Sequence, residues 1–144
     1  MNSRDTRTLV AYRMEEARVA LADAEFLSVS GRSSMSIVNR AYYAMFYTVL
    51  ALAQLRAGIP SKHSGAIAMF DREFVHTGIF PREMSKNLHA AFEKRQTSDY
   101  QVMESISPEE TVEMLTNARA FVESVSKWLD SQNPTDDEKN RLSV

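Results

Sequence analysis

The segment "FEKRQTSDY", residues 92–100, ends in residue types suited to phosphate chemistry. The guanidinium of Arg95 can grip a phosphate through paired N–H groups. Asp99 can take a proton, and Tyr100 can position or donate one beside it. The same residues also suit a helix end. Lys94 and Arg95 complement the negative pole of a helix dipole, and Ser98, Asp99 and Tyr100 can satisfy loop backbone groups. A second set lies in "NRAYYAMFYTVL", residues 39–50, where an amide, a guanidinium and three phenols interrupt an apolar run. Helical spacing puts Asn39, Tyr43 and Tyr47 on one face, with Arg40 and Tyr42 to either side. Such a row is either the polar wall of a pocket or cleft facing Arg95 and Tyr100, or a set of phenols reaching the rim while Arg40 snorkels to water.

Other chemistries find no support. There is no HExxH, GxSxG, Walker glycine loop or GxGxxG. The histidines, His63, His76 and His89, are spaced by thirteen residues, which gives no one-turn ligand pair and no expected metal site. No cysteine is present, which excludes disulfides, thiol catalysis and Cys-bound zinc. No cofactor is implied.

A chain of 144 residues is expected to form one domain. Its composition, 44% apolar and 25% charged, is that of an ordinary globular protein. Four Gly and four Pro are too few for a many-stranded β fold. The start, "MNSRDTRTLVAYR", lacks the apolar core of a signal peptide, and the longest apolar run, Ala41 to Ala53, is too short to span a bilayer. A cytoplasmic protein without membrane attachment is expected. The net charge of −2 hides an asymmetry. Residues 56–95 carry seven basic and four acidic residues, whereas 99–138 carry two basic and ten acidic. That argues against a globally basic nucleic-acid binder and leaves room for a local basic face.

The elements that must position these residues read as helices throughout. Helix 1 is expected over about 5–29, with a small-residue stripe of Val10, Ala17, Ala20, Ala24 and Leu27 and a stop at Gly31. Helix 2 is expected over 34–57, apolar all round at its centre and therefore enclosed by the others. A short helix is expected over 62–76, capped by Ser61 and buried through Ile67, Phe70 and Phe74. Helix 4 should run from Pro81 to Arg95 on Met84, Leu88 and Ala91. Helix 5 should start at a Ser107–Glu110 capping box with Pro108 at its first position. Its inner stripe would then be Val112, Leu115, Ala118, Val122, Val125 and Leu129. The expected fold is an all-α antiparallel four-helix bundle with one short extra helix. Residues 1–131 are expected to form the domain and 132–144 a polar, disordered tail. Helix 2 reads as too apolar for a peripheral position, so a homodimer is expected.

Three blocks together resemble the small stand-alone HEPN-domain proteins of bacteria and archaea. They are Arg-Ala-Tyr-Tyr-Ala at 40–44, Lys-His-Ser-Gly at 62–65 and Arg-x-x-x-Asp-Tyr at 95–100. The resemblance covers about 10–130. It implies a dimeric helical bundle that binds nucleotide or RNA or regulates a partner, paired with a minimal nucleotidyltransferase in a toxin–antitoxin-like system. The alternative is a metal-independent RNase of toxin or defence type; a further alternative is a ligand-free helical interaction module. Carried onto this chain, the resemblance implies Arg95, Asp99 and Tyr100 as catalytic residues. It implies Asn39, Arg40, Tyr43, Lys62 and His63 as ligand-binding residues, and Tyr100 as an acceptor for adenylylation by the partner. The family's nuclease signature is an Arg followed four to six residues later by a His. Here Arg95 is followed by Asp99 and Tyr100 and by no His. Literal matches elsewhere are Arg56 with His63 and Arg82 with His89.

Overall fold

The computed structural model describes residues 3–56, 58–96 and 106–132. Helices α1 (Ser3–Val29) and α2 (Ser34–Arg56) form a hairpin. Its turn is set by Gly31 at φ +68°, a left-handed conformation that suits glycine. The N–H of Arg32 donates to the Leu27 carbonyl at 2.9 Å and that of Gly31 to the Ser28 carbonyl at 3.2 Å, closing the last turn of α1. The chain then runs back along α1, so that Leu27 lies by Met35 and Asn39, and Val10 by Leu55 at the far end.

Helix α3 (His63–Phe70) is shorter than the sequence suggests and continues as a π turn over Asp71–Val75. The N–H of His76 reaches five residues back to the Asp71 carbonyl at 2.8 Å. The expected cap, Ser61, is not used: the N-cap is Lys62, and it makes no side-chain cap bond. Phe70 and Phe74 are both fully buried and stack at 6.3 Å.

Helix α4 (Arg82–Gln96) follows Pro81, and α5 (Pro108–Gln132) follows Ser107. The Ser107 hydroxyl accepts the Glu110 N–H at 3.1 Å. The Glu110 carboxylate does not turn back to complete a capping box but pairs with Lys94 of α4 at 3.3 Å. Helix α5 lies antiparallel to α1, with Arg119 on Glu25 at 2.9 Å and Leu129 near Val10. Val112 is not on the inner stripe; it is 58% exposed, and Thr111 and Met114 take the buried positions instead.

The described residues are all helix and connection, with no strand. Helix α2 is the axis. It packs on α1, α3, α4 and α5 and buries thirteen residues. Its apolar surface is therefore consumed within one chain, and the reason given for a dimer does not hold for this helix. The large exposed apolar residues of α1 are Tyr12, Val19, Phe26 and Val29. Among the described residues no helix is long and apolar enough to cross a membrane. The expected tail lies mostly outside the described residues.

Small residues let α1, α2 and α5 approach closely: Ala17, Ala20, Ala44 and Val122 form one buried cluster. Ala44→Leu should therefore overpack this contact and cost about 1–3 kcal/mol in urea unfolding. An unchanged midpoint would show that the three helices have room to spare.

Candidate functional site

Adjacent tyrosines on α2 organise the site. Tyr42 is fully buried and Tyr43 half-buried, their rings edge to face at 5.2 Å. Tyr42 sends its hydroxyl to Nδ1 of His63, the first residue of α3, at 2.8 Å. The His63 ring lies flat on Phe46, with centroids 4.0 Å apart. From the last turn of α4, Arg95 donates an Nη2–H to the Tyr43 hydroxyl at 2.7 Å. Its guanidinium lies 4.9 Å from the Tyr43 ring centre and 5.5 Å from that of Tyr42. A second guanidinium, Arg40, lies 5.2 Å from the Tyr43 ring centre and donates to Asn39 Oδ1 at 3.1 and 3.3 Å.

Charge is unbalanced among the described residues here. Lys94 is neutralised by Glu110, but its neighbour Arg95 turns inward onto phenols. Among the described residues neither Arg40 nor Arg95 pairs with a carboxylate. Burial holds His63 below its ordinary pKa, and the Arg95 cation lowers it further. Burial also raises the Tyr42 phenol strongly, with Arg95 opposing and Tyr43 adding, so the phenol keeps its proton. Two neutral arrangements satisfy this contact: Tyr42 O–H donates to Nδ1 with the ring proton on Nε2, or Nδ1–H donates to the phenol oxygen and leaves the Nε2 lone pair free. The result is a neutral imidazole beside the Arg95 cation, which has no acidic partner among the described residues.

The structure thus brings Asn39, Arg40, Tyr43, His63 and Arg95 into one cluster. Lys62 sits next to His63 but is exposed. Asp99 and Tyr100 lie outside the described residues. Tyr42 does not line a wall; it lies beneath the cluster and orients His63. Arg95 is half-buried rather than an exposed helix end. Neither literal Arg–His match forms a pair: Arg56 lies over Phe74 at 5.1 Å, and His89 bonds Asp71 at 2.7 Å. Phe46, the platform for His63, reads in the sequence as ordinary core, and no signal distinguishes it. Among the described residues no group of His, Asp and Glu is arranged to hold a metal.

A family model described as HEPN domain matches residues 10–128. A relative from Thermotoga maritima named "UPF0332 protein" is 37% identical over 122 residues, 85% of this chain and 92% of the relative. Two relatives come from Methanocaldococcus jannaschii. One, named "Putative toxin MJ0142", is 38% identical over 67% of this chain and 65% of its own length. The other, named "Putative toxin MJ0605", is 28% identical over 88% of this chain and 93% of its own length.

The electrostatics predict the titration of His63. Its NMR midpoint should lie below 6.5, and Arg95→Gln should raise it only part of the way, because burial is the larger cause. A lowered folded pKa means that the unfolded chain binds more protons. The stability contribution is therefore fully present above pH 6.5 and is lost as pH falls through the folded midpoint. A midpoint at or above 6.5, or one that ignores Arg95→Gln, contradicts the arrangement.

Proposed function

Because the chain belongs to the HEPN domain family, we propose that it binds nucleotide or RNA phosphate at Arg95 and acts as a regulatory module in a toxin–antitoxin-like pair with a small nucleotidyltransferase. The observation that carries this reading is the Arg95 guanidinium, half-buried on two phenols with no carboxylate partner among the described residues. A desolvated cation favours an anion of matching geometry, and phosphate supplies paired acceptors for its N–H groups. Relatives whose names include "toxin" support the toxin-like part. The module is proposed to be cytoplasmic and homodimeric, with Phe26 and Val29 the exposed apolar residues available at the end of α1. Tyr100, placed by sequence five residues after Arg95, is the proposed acceptor for adenylylation. Asp99 is proposed to act beside it.

One observation favours a second reading, metal-independent RNA cleavage. A neutral imidazole close to a phosphate-binding cation is the combination that deprotonation of a 2′-hydroxyl requires. His63 would be the base through Nε2 in the tautomer whose Nδ1–H donates to the Tyr42 oxygen, because only that form leaves a lone pair on Nε2. In this reading His63 takes the proton-accepting role expected from the sequence for Asp99.

Purified protein incubated with RNA in EDTA separates the readings. Binding without cleavage, lost at least about tenfold in Arg95→Gln, is expected for the regulatory module. Cleavage abolished by His63→Ala establishes the second reading. No binding and no cleavage leaves a ligand-free helical module. Sedimentation of the same sample should show a dimer, and a monomer alone would contradict pairing. Co-expression with an adjacent nucleotidyltransferase should add AMP mass that disappears in Tyr100→Phe; mass that survives the substitution removes Tyr100 as acceptor.

A further inference from the structure

Arg40 belongs to two places at once. Its guanidinium lies over Tyr43 in the central cluster, and its side chain also lines a groove of about 230 Å³ between α1 and α2. The groove walls include Tyr12, Glu15, Glu16 and Tyr47. Tyr12 is 58% exposed, a large ring open to solvent. Tyr47 is half-buried and contacts the Tyr43 ring at 5.6 Å. Burial and the Glu16 carboxylate raise its pKa, with Arg40 opposing, so it too stays a neutral ring. Glu16 is held by Arg13 at 2.8 Å. Glu15 reaches Arg18 only at 3.5 Å, with both side chains more than half exposed, so it remains open to another donor.

We propose that this groove is a second nucleotide subsite, holding one base of a single-stranded nucleic acid whose phosphate is bound by Arg40. The inference rests on the reading of Arg95 as a phosphate site and extends the ligand from a mononucleotide to at least a dinucleotide. Three features carry it. The two guanidiniums share the Tyr43 ring, at 5.2 and 4.9 Å from its centre, so phosphates on either cation belong to one short ligand. Exposed aromatic rings beside a cation are the platform on which unstacked bases lie. A carboxylate at the groove accepts from a base amino group, as from cytosine N4, and repels the carbonyl that uracil carries there. The occupant is not a second copy of the chain, because Glu15, Glu16 and Arg40 crowd the groove, whereas interface cores are depleted in charge.

The test uses full-length protein in EDTA and three 2′-O-methyl probes: cytidine 5′-monophosphate, 5′-phosphorylated dicytidylate and 5′-phosphorylated diuridylate. The dicytidylate should bind about tenfold tighter than the monophosphate and more tightly than the diuridylate. Tyr12→Ala should remove most of the dinucleotide advantage while leaving mononucleotide affinity and the thermal midpoint unchanged. Glu15→Gln should erase the preference for cytosine over uracil. Equal affinity for one and two nucleotides, with Tyr12→Ala silent, overturns the subsite and leaves the Arg95 reading standing. Loss of self-association in Tyr12→Ala, with nucleotide affinity unchanged, overturns it in favour of a second copy. If no probe binds and Arg95→Gln is silent as well, the Arg95 reading falls and the subsite with it.

Discussion

The seating of Arg95 on the two phenols of α2 is the contact on which the site depends. Fully burying an ion costs several kcal/mol even after relaxation, and a half-buried one costs part of that. A hydrogen bond to a charged group returns about 1.5–3 kcal/mol and a partly desolvated cation–π contact about 0.5–2 kcal/mol. The phenols therefore hold the guanidinium in place without cancelling its charge. A carboxylate in their stead would have closed the site to anions. Lys94 shows that outcome one residue away, where Glu110 takes up the charge.

Everything else in the bundle serves the placement of α2. Its buried centre fixes Tyr42 and Tyr43, because alanines at Ala17, Ala20 and Ala44 let α1 close on it while α4 and α5 cover the remaining faces. Helix α3 then delivers His63 to Phe46 and Tyr42. The far end of α3 is tied to α4 through Asp71, which accepts from Ser85 at 2.7 Å and bonds His89 at 2.7 Å. The two elements that carry His63 and Arg95 are thus joined to each other as well as to α2. The consequence for chemistry is a neutral imidazole and a guanidinium held against the same pair of rings.

Much of the fold was legible in the sequence because its signals are local. Gly31, Pro81 and Ser107 mark ends that the chain obeys, and the all-round apolarity of α2 announces a central helix. The reading failed where a nonlocal contact decides. Ser61 looks like a cap, but packing of His63 on Phe46 sets where α3 starts. The π turn after Phe70 leaves no mark in the periodicity. Val112 fits an apolar stripe by type, yet α5 rotates so that Thr111 and Met114 face inward. At the site, the phenols, Arg40 and Arg95 could be singled out by their residue types within apolar surroundings. The meeting of His63 with Tyr42 could not, because it depends on how α3 folds back on α2. A one-dimensional search for Arg followed by His picks Arg56 and Arg82, whereas Arg95 and His63 are brought to the same two rings, Tyr42 and Tyr43.

The most direct test of the account is to follow the Arg95 Nε–H and His63 ring signals by NMR while a nucleoside monophosphate is added. If the Arg95 guanidinium, which has no carboxylate partner among the described residues, is the phosphate site, both should shift together along one saturable curve, with the His63 midpoint rising as the phosphate offsets the Arg95 charge. If saturation moves signals elsewhere while Arg95 and His63 stay fixed, the cluster is a structural tie between α2, α3 and α4, and the ligand site lies in another part of the molecule.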